Sequence, residues 1–548
     1  MANRAIETGE VTCDEPILNN LDFGQDSAES DRRFLSRVFL PTSSFERIRT
    51  GKKHLVLGRK GSGKTAICLT LYDKLEQQGT KVSLITPRDL SKFKMSMLEK
   101  GSLNASEASL LSWMYTFLAE LSLYIVEMAK QTHGRNYLTW PNDVKRVRKF
   151  LAGNVDDQAS WLDKVLRVVG AVRKLGLKVV EVEVEPDSIS KKAAGFYDQL
   201  DDIVGPISTA LASLTDKPVY ILVDRVDEVW DPDVESSSLI VGLLRASKEI
   251  REQINLVNVI VFLRSDIFDS LQFQDSDHFH SFEERIIWDR SNLKELVAVR
   301  AQVSTGLGEG ETLDEIWTRF FPPKIKSMDS FEYLLKYTLM RPRDLIQFCN
   351  LCRDEAQDSG HSRIESDDIS RTLTQYSKWK LKDLRDEYQV QYPFLEKVFL
   401  GVFQHSTARL SRQDIAQRIE LVKGRLTEEF SHSYFEPLDN LLQVLYNIGF
   451  LGALKGNKVL YSFLGDIVVI PYIMDFEIHQ AFRPALEIEL DYSPAYYPRV
   501  ESSETVVVGA RAVAVGASAV AVGGDVHGDI IAGAKVRGTI ITGDEAKD

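Results

Sequence analysis

Eight residues, Gly58-Arg-Lys-Gly-Ser-Gly-Lys-Thr65, follow the spacing G-x-x-x-x-G-K-T. Glycines at these points let successive backbone N–H groups turn inward around an anion. A lysine and a hydroxyl at the end of the loop suit a phosphate and its counter-ion. The expected ligands are ATP and Mg²⁺, with Gly58, Arg59, Lys60, Gly61, Ser62, Gly63, Lys64 and Thr65 forming the cradle. Lys64 is placed to reach the β- and γ-phosphates, and the Thr65 hydroxyl to bind Mg²⁺. A helix after the loop adds a positive dipole end at the same point.

A second stretch supplies the metal's other partner. Val219-Tyr-Ile-Leu-Val-Asp224 is five apolar residues ending in an acid. A buried strand of this kind carries its carboxylate to the C-terminal edge of a sheet, so Asp224 is expected to share Mg²⁺ with Thr65. Asp227 and Glu228 follow within one turn, and either can orient or deprotonate an attacking water. Leu256 to Leu263 is a further apolar strand, and it ends in Arg264-Ser265-Asp266 at the same edge. Met340-Arg-Pro-Arg343 opens a helix with proline in its first turn. Arg341 and Arg343 there either reach back to a nucleotide or only cap the helix.

The elements that must position these groups alternate. Strands are expected at 54–58, 82–86, 219–224, 256–263 and 285–288, the last following Glu283-Glu284-Arg285. Helices lie between them, which implies a parallel α/β sheet. An arm, 1–33, is expected to touch the core only near Leu21 to Phe23, and the α/β core runs 34–290. A mainly helical insertion spans 88–216, with one strand expected at Leu177 to Glu185 and a basic run at Lys145, Arg146, Arg148 and Lys149. That run reads as a solvated helix face, with nucleic-acid contact less favoured. A helical lid covers 291–370.

Residues 371–480 read as three helices and a hairpin around Gly456-Asn457, a winged-helix-like unit that suits a protein partner better than DNA. A linker at 481–504 leads to a tail, 505–548, whose glycines recur every seven and then every five residues. Short apolar turns punctuated in this way suggest stacked β coils that dock on another copy or on the main body.

Length and composition bound the alternatives. The 548 residues allow two to four domains, and a net charge of −13 disfavours a surface that wraps nucleic acid. The four cysteines are too few for a disulfide framework, and Cys349-x-x-Cys352 reads as one helix face rather than a zinc site. No apolar leader and no uninterrupted membrane-length run stand out, so a cytoplasmic protein is expected. The chain also lacks N-K-x-D, T-K-x-D and L-S-G-G-Q, which sets aside guanine-specific enzymes and transporter ATPases.

In order, G58-RKGSGKT65, YILVD224-RVDE228, FLRSD266 and RPRDLIQFCN350 resemble the AAA+/STAND/KAP branch of P-loop ATPases. The lead-in from Leu21 to Asp31, LDFG…AES-D, is similar to that of a group of bacterial P-loop ATPases. The resemblance implies strand order 5-1-4-3-2, ATP between core and lid, and function as an oligomer or a nucleotide-driven switch. It implies a sensor at Arg264 or Ser265, a lid arginine at Arg341 or Arg343, and a finger for a neighbouring subunit at Arg285. Arg225 stands where AAA+ enzymes usually carry a second acid, which implies slow hydrolysis based on Asp227 or Glu228. Tails like this one occur, by analogy, on some bacterial defence proteins. Three readings stay open: an ATP-driven oligomerising switch, a DNA-dependent loader-type ATPase, and a nucleotide-binding scaffold without catalysis.

Overall fold

The computed structural model describes residues 17–86, 105–154, 186–228, 230–273, 276–307, 310–488, 507–509 and 512–514. Five parallel strands form the central sheet: β1 (Leu55–Gly58), β2 (Val82–Ile85), β3 (Val219–Val223), β4 (Val257–Arg264) and β5 (Glu283–Arg285). From the β5 edge the order is β5-β1-β4-β3-β2. The fold is therefore α/β, with the two-residue side-chain period splitting each strand between two cores. Leu55, Leu57, Ile221 and Val223 face one core; Val56, Leu222, Ile260 and Phe262 face the other. The second core is closed by α2 (Ser43–Arg49) and α3 (Lys64–Gln77), with Phe39, which follows α1 (Arg32–Val38), packed against it.

The fifth strand ends at Arg285 rather than running over 285–288. Leu55 pairs with Glu283 and Leu57 with Arg285, so the strand is built of charged residues and its apolar signal falls just outside it. Glu284 is buried there because Arg47 meets it with both Nε, at 2.8 Å, and Nη2, at 2.6 Å.

The first core is covered by the insertion. Its helices α4 (Ala105–His133), α5 (Asn142–Asn154) and α6 (Pro186–Leu214) pack with α7 (Val234–Gln253) on the sheet. The helices approach closely at Gly242, where any Cβ would meet Ser109 Cβ at 2.5 Å. The strand expected at 177–185 lies outside the described residues. Helix Ser106–His133 is long and apolar enough to cross a membrane, and 78% of its apolar window is buried inside the protein. In α5, Val144, Val147 and Leu151 face inward, while Arg146, Arg148 and Lys149 face outward, with Arg148 4.2 Å over the Tyr137 ring.

A short helix, α8 (Ser265–Ser270), follows β4. Beyond the sheet come α9 (Arg290–Thr305), α10 (Leu313–Phe320), a small ribbon of β6 (Lys324–Ile325) and β7 (Met328–Asp329), α11 (Ser330–Leu335) and α12 (Pro342–Asp358). Next is α13 (Ser366–Tyr388), which crosses the expected domain boundary at 370 as one helix. Cys349 and Cys352 lie buried on α12, and burial pushes the Cys352 thiol up to about 12. The N-terminal arm packs on this helical unit, not on the sheet: Leu18, Leu21 and Phe23 share its core with Leu293, Trp317 and Phe321.

The next unit holds α14 (Leu395–Val398), β8 (Arg409–Ser411), α15 (Arg412–Glu429), α16 (Leu438–Asn447), β9 (Leu451–Lys455), β10 (Lys458–Leu460) and β11 (Asp475–Ile478). A capping box of Ser411 and Asp414 starts α15. The turn at Gly456-Asn457 joins β9 and β10 in an antiparallel pair, and the sheet order is β10-β9-β11-β8. The expected linker at 481–504 begins too early. Residues 480–486 make two tight helical turns whose Ala481, Phe482 and Leu486 complete this unit's core. Described by itself and among its described residues, the tail shows an antiparallel pair, β12 (Val507–Gly509) with β13 (Ala512–Ala514).

His479 is fully buried among Tyr461, Phe463 and Phe482, and burial, reinforced by Arg483, lowers its imidazole to about 3. An imidazole depressed in the folded state contributes stability that is full above the unfolded value near 6.5 and lost as pH falls toward 3. Unfolding free energy of this unit should therefore fall by about 1.4 kcal/mol per pH unit within that window. Hydrogen exchange over 451–482 at pH 7 and pH 4.5 measures it. His479→Gln should flatten the slope, and an unchanged slope would refute the assignment.

Candidate active site

The loop after β1 turns at Gly61, φ +79°, and Gly63, φ +94°, both left-handed, then enters α3 at Lys64. It leaves the strand at the C-terminal edge of the sheet, with β4 between it and the end of β3. Lys64 Nζ donates to the loop's own carbonyls, Gly58 O at 2.9 Å and Arg59 O at 3.2 Å. Burial lowers the Lys64 ammonium, against the pull of Asp227 and Asp224. Asp224, 3% exposed, follows β3 directly. Burial raises its carboxyl to about 6, and the Thr65 hydroxyl and Lys64 limit that rise. The structure thus brings Lys64, Thr65 and Asp224 into one cluster. A buried carboxylate beside a hydroxyl is a hard-oxygen donor set of the kind Mg²⁺ takes, so the residues present fit that ion.

A cleft of about 590 Å³ opens over the cluster, within the size range of small-molecule sites. Its floor is the loop. One side is Arg225, Asp227 and Glu228; the others are Trp288, Arg343 and arm residues Gln25 to Asp31. The two candidate bases differ. Arg225, at φ +66°, pairs with Glu228 and, at 3.1 Å, with Glu29. Asp227 faces the cleft with no hydrogen bond or ion pair to a described residue, and its charge acts on Lys64. A non-glycine residue in left-handed backbone is strained, and here the ion pairs of Arg225 with Glu228 and Glu29 offset that cost.

The expected arginines separate. Arg343 lines the cleft, and its Nε donates to Asp26 O at 3.1 Å. Arg341 does not reach the cleft. It is buried as the residue preceding α12, with Nη1 donating to Glu387 Oε2 at 2.8 Å. Arg264 grips Asp266 with Nε at 3.1 Å and Nη2 at 2.6 Å, and donates to Glu387 O at 3.3 Å. Ser265 lines a different cavity behind the loop. Arg285 is exposed, held by Asp269 at 2.7 Å and Glu283 at 3.2 Å. Arg264, Ser265, Arg285 and Arg341 therefore do not join Lys64, Thr65, Asp224 and Asp227 around the cleft.

Several contributors carry little sequence signal. Trp288 Nε1 donates to Ser62 O at 2.8 Å and its ring lies under Gly63. The arm is fixed by Arg300, whose Nη1 donates to Phe23 O at 2.7 Å and pairs with Asp31 at 2.8 Å. Arg59 Nη2 donates to Ile448 O at 2.8 Å, linking the loop to the unit beyond α13. The LDFG…AES-D string was the one available pointer to the arm.

Sheet order, loop and cleft define an α/β P-loop NTPase fold. Residues 291–385 match the family described as the FunZ-associated C-terminal helical domain. The chain is 29% identical over 460 residues to a protein of Escherichia coli (strain K12) called "Putative transposon gamma-delta 80.3 kDa protein", covering 81% of this chain and 63% of that one. The chain thus spans less than two thirds of that relative. It is also 29% identical over 162 residues to Allergen Alt a 2 of Alternaria alternata, covering 29% of this chain and 84% of the allergen. Among solved structures, it is similar to the Aeropyrum pernix ORC2 protein in ADPNP-ADP complexes at TM-score 0.34 and 11% identity, covering 86% of this chain and 96% of that one. Cdc6p from Pyrobaculum aerophilum gives 0.29 and 12%, covering 82% and 95%. These low scores add nothing to the geometry above.

Gly61 Cα sits against α12, and a Cβ there would meet Arg343 Cβ at 3.2 Å in a backbone at φ +79°. Gly61→Ala should destabilise the protein by about 1–3 kcal/mol. Thermal melting reads the loss, and an unshifted melt would show that the loop is not held in this form.

Proposed function

We propose that the chain binds ATP and hydrolyses it slowly as a P-loop ATPase of the AAA+-like type, acting as a nucleotide-driven oligomerising switch. The observation that carries this reading is the Lys64–Thr65–Asp224 cluster beneath the cleft. Loop N–H groups and Lys64 would hold the phosphates, and Thr65 and Asp224 would hold Mg²⁺, which supplies charge neutralisation at the phosphates when bound. Asp227 takes the proton of the attacking water, because Glu228 is engaged by Arg225. Arg343, not Arg341, is the lid arginine in this reading, since it alone of the two lines the cleft. Arg285, exposed on the edge strand, is offered to a neighbouring copy. A role in bacterial defence rests on the glycine-repeat tail alone.

Lys64→Ala should abolish Mg²⁺-dependent ATP binding in equilibrium titration. Asp227→Asn should lower kcat by about 10²-fold or more, whereas Glu228→Gln changes it by less than about tenfold. Equal losses in the two variants, or none, would overturn the assignment of the base.

Light scattering with and without ATP separates a switch from a constitutive scaffold. Assembly should rise with ATP in the native chain and fail in Arg285→Ala. An ATP-independent mass would refute the switch. One observation favours a second reading, DNA-dependent ATPase: α5 turns Arg146, Arg148 and Lys149 outward. That reading requires DNA to stimulate hydrolysis at low salt and not at high salt.

A further inference from the structure

Behind the P-loop lies a second cavity of about 520 Å³, which shares Ile286, Ile287 and Trp288 with the cleft. Its walls come from three parts of the chain. The core supplies Arg59, Ser62 and Arg285; the helical unit supplies Arg341 and Tyr388; the unit beyond α13 supplies Phe463. Four guanidinium groups gather here, and three of them are held by carboxylates. Arg264 is held by Asp266, Arg285 by Asp269, and Arg341 by Glu387. Arg59 has no carboxylate of its own: Nη2 donates to a carbonyl, and the group lies 5.8 Å from the Phe463 ring centre.

Four buried donor atoms at this cavity have no hydrogen-bond partner among the described residues: Arg59 Nη1, Ser62 Oγ, Arg341 Nε and Arg341 Nη2. Arg341 is 7% exposed and Ser62 4%. Glu387 Oε1 is likewise without a hydrogen bond, with Arg264 Nη2 3.9 Å away. Buried donors left unpaired are costly, and native structures keep few of them. Met340, held at φ +55°, precedes Arg341 in this constrained arrangement. Unpaired guanidinium donors beside an unpaired hydroxyl are the chemistry that recognises a phosphate group.

The geometry points to a second anion site at this cavity, one that takes a phosphate-bearing small molecule on Arg59, Ser62 and Arg341. Trp288, Tyr392 and Phe463 give the same cavity aromatic walls for a planar group attached to the phosphate. Because Arg59 and Ser62 belong to the P-loop, an occupant here touches the loop from behind. Its binding is coupled to the cleft, and by linkage the coupling is reciprocal.

The test uses the full chain carrying Lys64→Ala, so that the phosphate cradle of the first site is disabled and failure of one site is separable from failure of the other. Inorganic phosphate and adenosine monophosphate are titrated by calorimetry. One saturable site should survive Lys64→Ala for at least one probe. Equal affinity for both identifies free phosphate as sufficient, and tighter binding of the nucleotide identifies a base-bearing ligand. Ser62→Ala, added to Lys64→Ala, removes a donor without a protein partner. It should leave melting unchanged and weaken binding about tenfold. The paired change Arg341→Gln with Glu387→Gln, which avoids stranding the buried carboxylate, should abolish binding. Loss of all binding in Lys64→Ala alone, or binding indifferent to both sets of changes, overturns the proposal.

Discussion

Glu387, on the last turn of α13, is the carboxylate on which the parts of this molecule converge. Burial alone would raise it, yet Arg341, Arg264 and Arg59 hold it down at about 2. Each arginine arrives from a different element: the start of α12, the end of β4 and the P-loop itself. A buried charge of this kind is tolerated only while its partners stay in place, since removing one leaves the other stranded at a cost of several kcal/mol. The cluster therefore constrains the arrangement of sheet and helical unit, and Arg59, bound also to Ile448 O, extends that constraint to the unit beyond. The P-loop is gripped from behind as well as open in front.

That grip reshapes the roles of the charged residues. Arg341, next to a proline that fixes a helix start, has the spacing of a nucleotide-sensing arginine but serves the buried cluster instead. Arg343, two residues on, takes the cleft side because Pro342 and the first turn of α12 direct the two side chains to opposite faces. A similar division separates Asp227 from Glu228. The left-handed backbone at Arg225 brings its guanidinium to Glu228 and Glu29, and Asp227 is left facing the cleft. Local backbone geometry, rather than residue type, distinguishes the neighbours in each pair.

Much of the α/β core was legible because its signals are local. The runs at β1 and β3 are apolar without interruption and that at β4 is broken only by Asn258 before Arg264, as suits strands buried on both faces, and the loop is specified by glycines at fixed offsets. The fifth strand was misplaced because its inward position is filled by Glu284, whose burial depends on Arg47, a residue distant in sequence. The domain boundary at 370 failed for the opposite reason. Helix α13 is amphipathic along its whole length, and nothing local marks where one unit's core gives way to the next. The roles of Glu387, Arg59 and Trp288 depend on contacts across tens to hundreds of residues, so no pattern in their own neighbourhood announces them.

The arm completes the argument about access to the cleft. Residues 25–31 form one of its walls, yet they are anchored to the helical unit through Arg300, Asn350 and Arg343. Asp73 on α3 meets Arg32 at the start of α1, which ties the other end of the arm to the core. An opening of the cleft that moved the helical unit alone would stretch this short segment between two anchors. The arm therefore ties the helical unit to the core. The same core and helical unit are joined again by the arginines around Glu387, so contacts on both sides of the P-loop hold the two together.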